Sequence, residues 1–252
     1  FNKNPRPSVG DFFVLSYKFK FFKIDSGRKG CCAVSKKNVS EFIRAYCRKL
    51  AFACGIKIDK SDFSKVLEQI RECKNPVAIF GTPCQIAGAK KLFSDRKDIL
   101  YIDLICHGVP SYHLYDKYKQ ELNTEYGLNP YKTSIVFRYK PMGWRHIHLH
   151  SSDGEKSCCF SQENDSYFRM FERGNCYIKS CYECRFRNST CADIRLGDYW
   201  GPRFSNDTTG VSMVLCATRN GESIVENLKK SQAGFLQEQP IDDYIQYQQM
   251  LN

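Results

Sequence analysis

No stretch of this chain approaches the roughly 18 consecutive apolar residues of a membrane-spanning helix. Its most apolar run, FFVLSYKFKFF (12–22), is broken by Lys18 and Lys20. The amino-terminal FNKNPRPSVG has no apolar signal-peptide core. Low-complexity tracts, blocks of like charge and tandem repeats are missing as well, apart from one pair of strand–loop–helix units described below. No Ser/His/Asp set or pair of carboxylates asks for hydrolysis. These absences predict a chain with no membrane span, working in a reducing, cytoplasmic compartment. The chain opens at Phe1 without a methionine, which predicts a processed or truncated piece of something longer.

What is present describes a folded globular protein. Hydrophobic residues make up 42% and aromatic residues 14% of 252, enough to bury a real core. Fourteen cysteines are many for a chain too long to need disulfide staples, so in a reducing compartment they point to metal or redox chemistry. The formal charge of +11 suits an anionic partner such as nucleic acid, a phosphate-bearing cofactor or an acidic substrate. The basic residues are scattered rather than gathered, which speaks against nucleic acid.

Taken in order, Phe12 to Phe22 reads as one or two strands and SGRKG (26–30) as a turn. From Asn38, Phe42, Ile43, Tyr46, Leu50 and Phe52 recur at helical spacing up to Gly55, with Cys47 and Cys54 as core residues. A second helix is predicted from Ser61 to Cys73, with Phe63, Val66, Leu67 and Ile70 along one face. VAIF (77–80) is then a buried strand, GTPC a tight loop and QIAGAKKLF (85–93) a helix, with Pro83 in its first turn. Cys84 sits at that helix entrance, where the dipole favours a thiolate. The unit repeats as a strand at 98–106, the loop HGVPS and a helix at 112–127. Cys84 and Cys106 therefore belong at the same edge of a parallel sheet, where open α/β sheets bind ligands. His107, beside Cys106, is a candidate proton donor or ligand.

After residue 130 the pattern turns antiparallel, with strands at 133–140 and 145–152 and a DG turn leading into EKSCCF. His146, His148 and His150 alternate along one strand face, a solvated or half-buried face rather than a metal site, and Cys158 and Cys159 point to opposite faces. A helix at 161–174 precedes the cysteine-rich segment. ADIRLGDYWG (192–201) and SMVLCATR (212–219) read as strands, NGE as a turn, SIVENLKK as a helix and the remainder as a polar aromatic tail. The expected fold class is thus α/β (α+β): parallel strand–loop–helix units, an antiparallel hairpin region and a cysteine-rich loop. Residues 1–75 form an amino-terminal segment of the same domain, 76–220 the core domain, and 221–252 a carboxy-terminal helix and tail.

The cysteine-rich segment, Cys176 to Gly201, carries four cysteines spaced C-x4-C-x2-C-x6-C. Thiolates favour zinc or iron–sulfur clusters over hard cations. Spacing alone leaves open which metal and which four sulfurs.

Four segments in order, FGTPCQIAG (80–88), DLICHGVPS (103–111), VFRYKPMGW (136–144) and SCYECRF…ADIRLGDYWG (180–201), resemble the coenzyme F420 hydrogenase/dehydrogenase beta-subunit family, in its carboxy-terminal domain. The resemblance covers about residues 76–220. It implies an oxidoreductase moving electrons between a [4Fe–4S] cluster, FAD and a two-electron acceptor, with a redox partner protein or a small-molecule donor or acceptor. Many bacterial relatives belong to surface-polysaccharide pathways. It also implies Cys84, Cys106, Cys181 and Cys184 as the cluster ligands, because Cys176 and Cys191 stand where the family pattern is not cysteine. The local quartet of Cys176, Cys181, Cys184 and Cys191 is the competitor, and would suit zinc.

If flavin binds, its phosphates are expected at the GTPC and CHGVPS helix starts, near Gly81, Thr82 and His107, with Arg138 and Lys140 as charge-matched side chains on one strand face opposite the aromatics. Asp193 and Asp198 are candidates for the flavin ribose or a ring nitrogen, with capping and turn formation as equal alternatives. Trp144 and Trp200 are expected as core anchors before stacking partners. Two departures weigh against flavin more than against the cluster. SGRKGCC (26–32) only weakly matches the family's glycine-rich serine segment, and its amino-terminal ferredoxin clusters are absent from this sequence. Other classes remain: a non-catalytic iron–sulfur electron-transfer subunit, and a zinc-stabilised basic module binding nucleic acid or an acidic partner.

Overall fold

The computed structural model describes residues 14–16, 31–35, 63–74, 76–143, 145–208, 210–230 and 236–247. The helix expected from Asn38 with Cys47 and Cys54, the turn at 26–30 and Trp144 lie outside the described residues. In chain order the first elements are β1 (Val14–Ser16), β2 (Cys31–Ser35), α1 (Phe63–Glu72), β3 (Val77–Gly81), α2 (Pro83–Leu92) and β4 (Ile99–Leu104). Next come α3 (Tyr112–Tyr126), β5 (Ser134–Tyr139), β6 (His148–Ser152), β7 (Ser157–Ser161), α4 (Ser166–Glu172) and the single turn α5 (Lys179–Tyr182). Last are β8 (Ile194–Asp198), β9 (Val211–Cys216), α6 (Arg219–Lys230), β10 (Leu236–Gln239) and α7 (Ile241–Tyr247). Residues 107–184 form one compact unit, and the described residues up to Cys106 and from Arg185 form the other.

In the larger unit the apolar runs of β3 and β4 behave as continuous buried strands should. Val77, Ile79, Ile99 and Tyr101 point to the face covered by α1 and α2, where they meet Ile70, Ile86, Ala89 and Phe93. Ala78, Phe80, Leu100 and Ile102 point to the other face, against Val214 and Val225. Side-chain period two thus feeds two cores from one strand pair. β3, β4 and β8 are parallel neighbours, while β9, β2 and β10 continue the sheet antiparallel in the order β1-β3-β4-β8-β9-β2-β10. The expected mixed α/β class holds. Arg96 closes the end of α1 by donating to the carbonyls of Ile70 (2.7 Å) and Cys73 (2.8 Å) while paired with Asp98.

The carboxy-terminal part differs from expectation. Asn220, Gly221 and Glu222 are not a turn: α6 already runs from Arg219, with the Thr218 hydroxyl accepting from Gly221 N. Glycine is required there by crowding, since a Cβ on Gly221 would stand 2.2 Å from the Asp193 carbonyl oxygen. The expected tail contains β10, which pairs with β2, and α7, whose Tyr244 packs against Tyr199, Val211, Met213 and Leu215. Cys31 and Cys32 belong to β2, between β9 and β10.

The unit of residues 107–184 is built on α3 and a separate antiparallel sheet, β5-β6-β7. Tyr115, Tyr118, Leu122 and Tyr167 form its core with Ile135, Phe137, Cys158 and Phe160. Buried Asp165 caps α4 by accepting from Phe168 N (2.7 Å) and also takes the Tyr118 hydroxyl. α4 begins at Ser166 rather than at 161, because Asp165 sets its start.

Candidate metal centre

The register of β3 and β4 pairs Gly81 with Asp103, so both strands end together. Cys84 follows the end of β3 and Cys106 the end of β4, placing both at the carboxyl edge, as their loops predict. Pro83 opens α2 and Thr82 is its extended N-cap, so Cys84 stands exposed in the first helical turn. Gln85 Oε1 accepts both the Thr82 N–H (3.0 Å) and the Thr82 hydroxyl (2.6 Å). The same hydroxyl lies 3.2 Å from Cys84 Sγ.

β8 brings a third parallel strand to this edge. Ile105 N donates to Leu196 O (2.8 Å), carrying the ladder up to the residue before Cys106. Gly197 makes room for that approach, since a Cβ there would lie 2.5 Å from Ile105 Cδ1. Asp198 ends β8 at the edge and is half-buried. Trp200 follows at 41% exposure, so it is a surface ring and not a core anchor. Tyr199 between them is buried and donates to Asp243 Oδ2 at 2.5 Å.

Asp193 does not reach this edge. It precedes β8, five residues and therefore about 16 Å of extended chain from Asp198. Its carboxylate accepts from Tyr101 N (2.9 Å) and from the Thr218 hydroxyl (2.7 Å). It ties β4 and the start of α6 to the segment that enters β8. Cys191, exposed, lies on this amino side too, its carbonyl taken by Lys90 near the end of α2 at 2.8 Å.

Two residues of the motifs were not expected to matter. Asp103 and Arg195 are directly opposed in the β4–β8 register and form a bidentate pair, both bonds 2.8 Å, with side chains 0% and 1% exposed. The remaining groups are used as well: Thr190 Oγ1 donates to Asp103 (2.6 Å), and Arg195 donates to Ser189 O (2.6 Å) and Tyr244 Oη (3.4 Å). The sequence signal was a charge of each sign set inside an apolar strand, Ile102-Asp103-Leu104 and Ile194-Arg195-Leu196.

Within the unit of 107–184, the HGVPS loop is stitched to the start of the cysteine-rich segment. Ser111 N donates to Cys176 O (2.8 Å), Ile178 N donates to Val109 O (2.9 Å), and Pro110 bridges Tyr177. Ile178 is then the N-cap of α5, its carbonyl accepting from Cys181 N (2.9 Å). Cys181 and Cys184 are half-buried. Cys176 is buried, and burial pushes its thiol up, away from the thiolate a metal requires. His107 packs its ring 5.0 Å from Phe171, with Nε2 at 3.2 Å from Glu172 O.

Arg138 is exposed on β5, but the alternation expected around it fails. A bulge between Val136 and Tyr139 breaks the register, so Phe137 enters the core while Tyr139 stays exposed beside His150 (ring centroids 5.1 Å). Lys140 lies just past the strand. His146 precedes β6, so only His148 and His150 alternate along it, both half-buried. Cys158 packs inward and Cys159 is exposed, as expected.

Among the described residues no three His, Cys, Asp or Glu side chains are gathered closely enough to hold a metal ion. By donor chemistry Cys84, Cys106, Cys181 and Cys184 nevertheless fit an iron–sulfur cluster: four soft sulfurs, none in a disulfide, none fully buried, each at a loop or helix end. Of the residues expected around a flavin, Asp193 already accepts from Tyr101 N and the Thr218 hydroxyl, and Trp200 is partly exposed. Nor does any described helix have the length and apolarity to cross a membrane.

A search of curated proteins finds no match. Among solved structures, the F420-reducing [NiFe] hydrogenase complex from Methanosarcina barkeri, studied by xenon derivatization, is similar at 16% identity and a TM-score of 0.38, over 66% of this chain and 51% of that one. This chain thus spans about half the length of that relative. The family model for the C terminus of the coenzyme F420 hydrogenase/dehydrogenase beta subunit matches residues 74–244, which include both sheet-edge cysteines, the CxxC turn and the Asp103–Arg195 pair. By that match the chain belongs to the coenzyme F420 hydrogenase/dehydrogenase beta-subunit family and contains its carboxy-terminal domain.

Proposed function

We propose that this chain is an iron–sulfur oxidoreductase subunit in which Cys84, Cys106, Cys181 and Cys184 ligate a [4Fe–4S] cluster that serves a redox partner or a small two-electron acceptor. The observation that carries the reading is the pair of sulfurs at the ends of adjacent parallel strands, Cys84 after β3 and Cys106 after β4, in a chain of this family. A bound cluster would supply one-electron transfer. The protein's own part is to hold sulfur. Cys84 stands exposed in the first turn of α2, and the β4–β8 ladder leads into Cys106 from a strand pinned by Asp103 and Arg195. Arg138 and Lys140 are the cations for a cofactor phosphate, with Gly81, Thr82 and Asp198 at the carboxyl ends of β3 and β8 as further candidate contacts.

An anaerobic absorption spectrum with iron and sulfide counted per chain tests this. Brown protein with equal iron and sulfide is the expected result. Flavin bands beside it extend the reading to an FAD enzyme, and their absence makes the chain an electron carrier. Colourless protein holding zinc overturns the proposal in favour of the compact site within residues 176–191.

A further inference from the structure

We propose that Gly88 keeps a clearance beside Cys84, so that a bulky group can be carried on that sulfur. The group is the cluster, and to this extent the inference rests on the proposed ligation by Cys84. Glycine is the least favourable residue short of proline inside a helix, so a helical glycine asks for a reason. The two glycines inside the described helices answer differently. At Gly221 of α6 the reason is internal, because a Cβ would stand 2.2 Å from the Asp193 carbonyl oxygen. At Gly88 of α2 the fold supplies none. Its φ is not positive and it is exposed. Beyond its chain neighbours and its own helix backbone, no described atom lies within 4 Å of where its Cβ would be.

The position of Gly88 supplies the reason. Pro83, Ile86 and Ala89 form the buried side of α2. Cys84, Gly88 and Lys91 are exposed on its other side, with Gly88 one turn after the cysteine. Helical residues four apart have Cβ atoms about 5–6 Å apart, and helical side chains lean toward the N-terminus, over the turn before their own Cα. A side chain at 88 would therefore lean over the surface beside Cys84. A thiol there needs little room, and a helix that carried nothing else would gain from alanine. A cluster bonded to that sulfur needs room that a thiol does not, and bare backbone one turn away leaves it.

The test uses the full chain with Gly88→Ala and Gly88→Leu, both of which put a strong helix former in place of glycine. In metal-free protein the urea midpoint of each is expected to rise above the parent's, because helix propensity improves and nothing is struck. A lowered midpoint for Gly88→Ala means that the fold itself needs the glycine, and overturns the inference. After anaerobic reconstitution, the iron and sulfide kept per chain against a fixed chelator are expected to fall with side-chain size. Gly88→Leu should hold the metal about tenfold more weakly, as an overpacked site does. Gly88→Leu that keeps iron as well as the parent also overturns the inference. The clearance is read without metal by labelling Cys84 in reduced protein with iodoacetamide and with the bulkier N-phenylmaleimide. Both reagents are used at one pH, so thiolate content cancels in the ratio of their rates. Gly88→Leu is expected to lower the bulky-to-small ratio several-fold, and an unchanged ratio overturns the inference. Failure of the parent chain to load iron instead sinks the proposed function, and the labelling ratio still decides the role of Gly88.

Discussion

Arg195 reaches across from β8 to hold Asp103 of β4 through two bonds of 2.8 Å, and the pair is sealed from solvent. Three residues beyond Asp103 the strand has become Cys106, and the groups that complete the pair, Ser189 and Thr190, lie on the chain returning from the CxxC turn. One ion pair therefore fixes the register of β8 and the exit of the cysteine-rich segment. Removing one partner leaves a buried charge unmatched. Asp103→Asn is expected to cost about 3–5 kcal/mol in urea denaturation. The double apolar variant Asp103→Leu with Arg195→Met should lose less than Asp103→Asn alone, and a larger loss would show that the pair is not acting through its charge.

Gly221 offers a test with an unusual sign. Alanine normally stabilises a helix by about 1 kcal/mol over glycine. Here the added Cβ would meet the Asp193 carbonyl, backbone that cannot swing aside. Gly221→Ala should therefore destabilise, by about 2 kcal/mol as overpacked sites do, and a raised denaturation midpoint would contradict the packing of α6 on the Asp193 segment.

Burial and the bond donated to Asp243 push the Tyr199 phenol from 10.0 up to about 12. The folded chain thus keeps a proton that the unfolded chain releases above pH 10. By linkage this contribution is complete below pH 10 and disappears as pH rises through about 12. Tyr199→Phe should flatten that alkaline decline, followed by denaturation midpoints across the window. An unaltered slope would mean that the hydroxyl has no such partner.

The sulfur assignment separates by substitution. Cys84→Ala, Cys106→Ala, Cys181→Ala and Cys184→Ala are each expected to lose most of the bound iron, while Cys176→Ala and Cys191→Ala keep it. Iron per chain after anaerobic reconstitution is the measurement. Iron lost from Cys176→Ala or Cys191→Ala and retained in Cys84→Ala would transfer the site to the local quartet.

Local chemistry made much of this molecule legible in the amino-acid order alone. Apolar runs at 77–80 and 99–104, each followed by a small-residue loop and a helix, dictate parallel strands whose loops share an edge, and Cys84 and Cys106 follow from that. The DG turn likewise marks the β6–β7 hairpin. Where long-range contacts compete with local preference, only the tertiary structure decided. Asn220-Gly221 is a turn by composition, yet it is helix in the fold, where α6 packs so closely on the Asp193 carbonyl that a side chain at 221 has no room. Asp193 accepts from the backbone of a strand more than ninety residues earlier, a contact that no local pattern announces. Arg195 and Asp103 are ordinary residues singly, and become the pivot of the sheet because folding sets them opposite each other in a place without water.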